Sequence, residues 1–231
     1  MPPRKDKRFQ YACFISYRHG QGELIKDFIE ELTTAIENRL GLLGHPLKVF
    51  VDKERLKPSY SVDPGLAEAI CKSVCMIVVY NNGYFDTNSP FCAREFCAMA
   101  DLEGERLRSK KLPKKLNLII PILLRHPEKL PSEIFDRNPC DLSEIYTNPE
   151  KHFQILKMKK KLNQSALEIA YPKEMEKIAG VIDDMYRTLT ADGDDLCGDC
   201  IEFEFPADKE VNKLLKKTAY IPAFPIGTTK P

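Results

Sequence analysis

Tryptophan, long hydrophobic runs and an excess of charge of either sign are all missing from this sequence. The longest apolar run, residues 118–124, is far too short to cross a bilayer. The basic residues 1–8 lead into no apolar segment of the kind that a secretory signal needs. The formal net charge is +1, with both signs spread along the chain, so we expect neither nucleic acid nor an anionic membrane as a main partner. These absences favour a cytoplasmic protein.

Cysteine is plentiful, with eight residues, but its distribution argues against a disulfide framework. Cys197 and Cys200 form one CxxC pair with no second pair and no HxxxH motif, which favours a tight turn over a zinc site. We therefore expect reduced thiols and no disulfide, structural metal or cofactor. Five cysteines lie in apolar or helical settings, as small buried residues of a reducing compartment do: Cys13, Cys71, Cys75, Cys92 and Cys97.

Apolar patterns of strand and helix type alternate along residues 9–165. This order predicts an α/β domain of flavodoxin-like form, with a central parallel sheet of five strands and helices on both faces. The predicted strands are 11–17, 46–51, 74–80, 116–124 (interrupted at Pro121) and a short one near 140–142. The predicted helices are 24–40, 64–72 (capped by Asp63), 90–107 and 149–162.

Residues 166–231 are expected to form a C-terminal extension. Apolar residues spaced 3, 4, 3 and 4 apart predict a helix over about 172–190 with a narrow apolar seam: Met175, Ile178, Ile182, Met185 and Leu189. The seam either docks on its own domain or forms a contact between two copies of the chain. Alternation predicts a strand over about 201–205, and a short helix is expected at about 208–217.

A short motif follows the predicted strand 74–80. Ser89 is expected to cap a helix that has Pro90 at its first position. Phe91, Cys92 and Glu95 then lie on one side of that helix, just past the carboxyl end of a strand, where open α/β sheets bind ligands. Taken alone, the segment fits a solvated Glu95 better than a functional one.

Three segments resemble the Toll/interleukin-1 receptor (TIR) family. Residues 14–18 resemble its first box, and residues 49–52 with the long polar connection to residue 64 resemble its second box and mobile "BB" loop. Ser89-x-x-Cys92-x-x-Glu95 resembles the helix motif of the NAD-cleaving bacterial and plant branch, although Phe91 stands where the plant motif often has tryptophan and no third box is clear. Competing sites are missing, because strand one ends without carboxylates and no glycine-rich phosphate loop occurs.

The resemblance implies an NAD⁺ glycohydrolase or ADP-ribosyl cyclase in which Glu95 is catalytic. It implies nicotinamide and either ADP-ribose or a cyclic ADP-ribose as products, and self-association through TIR–TIR contacts. A stand-alone protein of this kind resembles bacterial anti-phage (Thoeris-like) TIR enzymes, whose product signals to a separate effector. The alternative is a non-enzymatic TIR scaffold.

The resemblance also suggests substrate-binding positions: Phe14, Ser16, Arg18, Phe50, Asp52, Arg55, Tyr60, Ser89, Phe91 and Cys92. Several have simpler explanations that the sequence leaves open. Arg18 fits a surface ion pair, Phe50 a core residue and Tyr60 a solvated loop residue. Cys92 fits a packing neighbour of the ribose site, because the chemistry needs no thiolate.

Overall fold

Five strands and six helices make up the regular structure of the described residues, which are 8–20, 23–52, 64–109, 116–124, 130–143, 166–191, 200 and 202–218 of the computed structural model. The strands are β1 (Tyr11–Tyr17), β2 (Lys48–Val51), β3 (Ser73–Tyr80), β4 (Ile119–Leu123) and β5 (Cys140–Asp141). The helices are α1 (Glu23–Leu42), α2 (Pro64–Cys71), α3 (Phe91–Ser109), α4 (Ser132–Phe135), α5 (Ala166–Thr190) and α6 (Asp208–Thr218).

The strands form one parallel sheet in the order β2-β1-β3-β4-β5. Every residue of the central strand β3 is buried, because helices cover both faces of the sheet; its sequence therefore reads as one continuous apolar run. Helix α1 packs with α5, while α3 packs with α2 and α6. The strand order is that of flavodoxin, which confirms the predicted fold and puts the topological switch point between β1 and β3.

Pro121 lies inside β4 and does not interrupt it. It pairs with Val78 of β3, and β5 pairs only with Ile122 and Leu123. The missing N–H of Pro121 therefore removes no bond from the β4–β5 pairing. The predicted helix 149–162 lies outside the described residues.

Helix α5 begins at Ala166, earlier than predicted, and continues through Pro172. The Arg39 side chain of α1 donates to the Pro172 carbonyl over 3.2 Å. The seam docks on its own chain against α1, so its interpretation as a contact between copies is wrong. All five seam residues are buried: Met175, Ile178, Ile182, Met185 and Leu189.

The strand predicted over about 201–205 is wrong, because residues 202–207 are irregular. Phe203 and Phe205 alternate with acidic residues and pack as partly buried side chains on the core, but no strand of the described residues pairs with them. Alternation of apolar and polar residues indicates which side chains are buried. A strand also needs a neighbouring strand whose backbone groups pair with its own N–H and C=O groups. Helix α6 follows, close to its predicted range, and packs on α3.

A disulfide joins Cys71, at the end of α2, to Cys200, with Cα atoms 5.5 Å apart. The expectation that all thiols are reduced is therefore wrong for these two. Cys71 is 2% exposed, as expected of a buried apolar residue, but its 129-residue separation from Cys200 hides the pairing from any local pattern. Other buried cysteines remain thiols, and burial raises the pKa of Cys75 to about 12.

Among the described helices, none has the length and apolar character that a membrane span requires. Within the same ranges, no group of three His, Cys, Asp or Glu side chains is placed to hold a metal ion. Cys197, the other half of the CxxC pair, lies outside the described residues.

Candidate active site

A buried carboxylate and a buried hydroxyl meet at the carboxyl edge of the sheet. Glu95, in the first turns of α3, is 2% exposed, and Ser16, near the end of β1, is 1% exposed. The Ser16 hydroxyl donates to Oε2 of Glu95 over 2.5 Å. Glu95 is therefore not a solvated helix residue, and the simpler interpretation of its motif is wrong.

A second hydroxyl extends this pair into a chain of three groups. The Tyr84 hydroxyl lies 2.6 Å from Oγ of Ser16, and Tyr84 is fully buried. Because Ser16 uses its one proton toward Glu95, Tyr84 donates to Ser16. The sequence interpretation missed Tyr84, although an aromatic pair at residues 84–85 in a polar turn after a buried strand was a visible signal.

Aromatic rings enclose this chain on the side of residues 81–90. Phe85 packs edge-on against Phe96 of α3, with centroids 5.5 Å apart, and against Tyr84 at 5.0 Å. Tyr80, the last residue of β3, lies 6.0 Å from both Tyr84 and Phe85. The carboxylate thus lies in an apolar setting, where its electrostatic effect on a nearby charge is stronger than in water.

Arg18 is bound to the turn that follows β3. Its Nη1 donates to the Gly83 carbonyl over 2.5 Å, and its Nη2 donates to Oδ2 of Asp86 over 2.6 Å. The Asn88 backbone N–H and then the Arg18 guanidinium hold the pKa of Asp86 below its usual value. Arg18 therefore makes an ion pair in this structure, which was the simpler of its two sequence interpretations.

Gly83 leaves room for Arg18 to cross the turn. A Cβ built on Gly83 would lie 2.7 Å from Nη1 of Arg18, closer than real Cβ contacts, and 3.1 Å from its Cδ. Any side chain at this position would push the guanidinium away.

The other predicted substrate-binding residues are distributed differently. Phe14 is fully buried and stacks on the half-buried Phe50 with centroids 5.3 Å apart, so both belong to the core. Asp52 accepts a 3.5 Å hydrogen bond from the Tyr17 hydroxyl through its backbone carbonyl. Arg55 and Tyr60 lie outside the described residues.

The start of α3 supplies the remaining predicted residues. The helix begins at Phe91, one residue after the predicted position, and the Pro90 carbonyl accepts a hydrogen bond from the Arg94 N–H. Cys92 is buried, as expected of a packing neighbour, while Ser89 and Phe91 are half-buried. The structure thus brings Ser16 and Glu95 together, binds Arg18 to the turn at Gly83 and Asp86, and places Phe14 and Phe50 in the core.

A cleft of about 450 Å³ has Arg18 as one of its lining residues. Tyr17 and His19, whose rings stack at 4.2 Å, and the exposed side of α1 line it together with Arg18. Glu95 is not one of the described residues that line the cleft. Arg18 therefore lines an open cleft and also holds the turn at Gly83 and Asp86.

No protein-family model matches the chain, and no curated protein matches it. One similar solved structure is that of the activated Roq1 resistosome directly recognizing the pathogen effector XopQ (TIR domains). It is 18% identical with a TM-score of 0.34, and the match covers 90% of this chain and 98% of that chain. The fold is identified by the strand order β2-β1-β3-β4-β5.

Proposed function

We propose that this chain cleaves the bond between nicotinamide and ribose in NAD⁺, with Glu95 as the catalytic residue. The observation that carries the proposal is a single carboxylate, 2% exposed, held by the Ser16 hydroxyl at the switch point of a flavodoxin-like sheet. Ligands of such sheets bind at this edge.

One carboxylate is enough for this reaction. The nicotinamide ring of NAD⁺ carries a positive charge, and it leaves as a neutral molecule when the bonding electron pair moves onto its nitrogen. Unlike a sugar leaving group, it needs no general acid, so the usual second carboxylate of glycosidases is unnecessary. Glu95 stabilises the oxocarbenium that develops on the ribose and accepts hydrogen bonds from the ribose hydroxyls.

Capture of the ribosyl cation decides the product. Water adds at the anomeric carbon and loses a proton to give ADP-ribose. A ring nitrogen of the adenine in the same molecule gives a cyclic ADP-ribose instead. NAD⁺ is a substrate in both cases, and the proposal needs no cofactor.

The hydroxyl chain fixes the carboxylate before substrate arrives. Ser16 holds one oxygen of Glu95, and Tyr84 in turn orients Ser16. A preorganised charge in a dry site stabilises a developing cation without first having to reorganise. The matches to the TIR boxes in residues 14–18 and 89–95 support the same assignment from the sequence side.

The proposed setting follows from the same family resemblance. A TIR enzyme of this type acts in anti-phage immunity in the cytoplasm, assembles through contacts between TIR domains and passes its product to a separate effector. The competing function is a TIR scaffold without activity. The buried, hydrogen-bonded Glu95 favours the enzyme, because a scaffold has no use for a carboxylate that is removed from water at a cost.

Incubation of the purified chain with NAD⁺, followed by chromatography, tests the proposal. We expect nicotinamide to appear in equal amount with ADP-ribose or a cyclic ADP-ribose. Intact NAD⁺ after prolonged incubation, with protein shown to be folded and concentrated enough to self-associate, would contradict the enzyme and favour the scaffold.

A further inference from the structure

The candidate active site is closed, and the contact that closes it involves a side chain suited to phosphate. We propose that residues 81–88 form a lid over Glu95. The contacts of Arg18 with Gly83 and Asp86 hold this lid closed and act as its latch. An anionic phosphate group of the substrate opens the lid by displacing Asp86 from the Arg18 guanidinium. The inference rests on the proposed function only for the identity of the substrate.

Burial shows that the lid is shut. Glu95 and Ser16 are 2% and 1% exposed, and Tyr84 of the lid is fully buried with its hydroxyl on Ser16. Phe85 of the lid is 6% exposed against Phe96. A ribose reaches Glu95 only when these lid residues move.

The lid is built to move as one piece. The backbone N–H of Gly83 donates to the Asn81 side chain over 2.9 Å, and the N–H of Tyr84 donates to the Asn81 carbonyl over 2.9 Å. The Asp86 side chain and carbonyl accept from the N–H groups of Asn88 and Ser89. These bonds lie within residues 81–89, so the turn keeps its shape when it leaves the sheet edge.

Arg18 fastens this turn to β1. Its two amino groups contact the Gly83 carbonyl at 2.5 Å and Asp86 at 2.6 Å. The side chains of the ion pair are 27% and 23% exposed, so solvent and ligands reach them. The planar guanidinium fork matches phosphate oxygens as well as carboxylate oxygens, and a pyrophosphate therefore competes with Asp86 for the same donors.

The cleft of about 450 Å³ gives the competing anion a route. Arg18 lines this cleft as well as holding the lid, and Glu95 is not among the described residues that line it. Binding of the substrate's phosphates and exposure of the carboxylate are thereby coupled through one side chain.

Two substitutions break the latch by different routes. Gly83→Ala places a methyl group 2.7 Å from Nη1 of Arg18, and the backbone of Gly83 is not in the left-handed region, so alanine is tolerated there otherwise. Asp86→Asn removes the charge while keeping an oxygen for the Asn88 N–H. Matched controls are Gly104→Ala, whose Cβ makes only an ordinary 3.5 Å contact, and Asp208→Asn, which removes a different 2.6 Å pair, with Arg94.

Hydrogen–deuterium exchange of the full chain without ligand measures the lid directly. We expect exchange in residues 81–89 to be about five- to tenfold faster in Gly83→Ala and Asp86→Asn than in the wild type, and unchanged in both controls. Unchanged exchange in both latch variants overturns the latch, whatever their activity.

The same exchange measurement with added ligands tests whether phosphate opens the lid. We expect inorganic pyrophosphate and ADP-ribose to speed exchange in residues 81–89 of the wild type, adenosine to have no effect, and pyrophosphate to bind the two latch variants about fivefold more tightly. Arg18→Ala should have an open lid that no longer responds. A response to adenosine, or none to pyrophosphate, overturns the phosphate trigger. Exchange does not depend on turnover, so a lid that behaves as expected in a chain that leaves NAD⁺ intact rejects the proposed function and leaves the latch standing.

Discussion

The Ser16 hydroxyl lies 2.5 Å from the Glu95 carboxylate, although 79 residues separate the two in sequence. The strand order produces this proximity, because it places β1 beside β3 and brings the chain that leaves β3 back over the end of β1. The carboxylate is therefore positioned by the fold as a whole. Its role is testable by changing its charge and its hydroxyl partners.

Glu95→Gln should abolish NAD⁺ cleavage and leave the protein folded. Glutamine keeps the shape and still accepts a hydrogen bond from Ser16, but it has no charge to stabilise the ribosyl cation. We expect a loss of at least about 10²–10³-fold in kcat, measured as nicotinamide release. Glu105→Gln, an exposed change on the same helix, is the control. Normal turnover by folded Glu95→Gln protein would remove Glu95 from the mechanism.

Ser16→Ala should lower kcat by about 10- to 100-fold, since a hydrogen bond to a charged group is worth roughly 1.5–3 kcal/mol. Tyr84→Phe should have a smaller effect in the same direction, because it acts on Glu95 only through Ser16. The double variant should then be no worse than Ser16→Ala alone. Effects that simply add would show that the two hydroxyls act independently.

Reduction of the Cys71–Cys200 disulfide should lower the thermal stability markedly. A cross-link that closes so long a loop contributes roughly 2–4 kcal/mol, or about 5–15 °C in Tm for a chain of this size. Cys71→Ser should give the lower Tm and lose its response to reductant, while Cys97→Ser keeps that response. Peptide mapping that finds Cys71 and Cys200 separately alkylated without reduction would contradict the bond. A reducing cytoplasm opens such a bond, so the same mapping on protein from intact cells tests the proposed compartment.

Asp86 should stabilise the fold at neutral pH and lose this effect in acid. Its pKa is lowered in the folded state, so its contribution is present above the unfolded value near 3.9 and disappears as the pH falls through the folded value. Wild-type Tm should exceed that of Asp86→Asn by about 1–3 °C at pH 7, and the gap should close below about pH 4. Asp136→Asn, an exposed change, is the control; a constant gap would contradict the ion pair.

Specific activity should rise with enzyme concentration if the proposed contact between TIR domains forms, because a neighbouring copy would exclude water from the mouth of the site and fix the substrate. Leu56→Asp and Tyr60→Ala, in the connection between β2 and α2, should weaken this dependence and leave the single chain folded. The measurement is nicotinamide release from nanomolar to micromolar enzyme, with the oligomeric state followed in parallel. A flat profile in a preparation that stays monomeric would show that one chain is complete.

Burial patterns made most of the fold predictable. The apolar run of β3 and the four-residue repeat of α1 directly record which side chains face the core, so both elements lie close to their predicted ranges. The same logic failed over residues 202–205, where alternation of Phe203 and Phe205 marks burial without a strand. A sequence shows which residues avoid water more readily than which backbone groups find partners.

The residues of the candidate active site were predictable where they belong to a short sequence motif. Ser16, Arg18 and Glu95 were found because each belongs to a short pattern. Tyr84 and the Asp86 partner of Arg18 were missed, since both lie in a turn whose function depends on what β1 places beneath it. The Cys71–Cys200 bond was missed for the same reason, because no local pattern encodes a contact across the whole domain.

The Cys71–Cys200 bond closes a covalent ring that carries β3, α3, β4, α4, β5 and α5. Outside the ring, the N-terminal arm carries β1, α1 and β2 and is joined to it through α2. Glu95 belongs to the ring, whereas Ser16 and Arg18 belong to the arm. One cut by a protease anywhere in the ring leaves a single covalent molecule. One cut between β2 and α2 leaves the arm attached by noncovalent contacts alone. The Ser16 hydroxyl that holds Glu95 and the Arg18 guanidinium that holds residues 83–86 both belong to this arm. Oxidised protein that is cleaved once within the ring should therefore keep its site. After cleavage between β2 and α2, the arm can dissociate on dilution, and the site should then be lost.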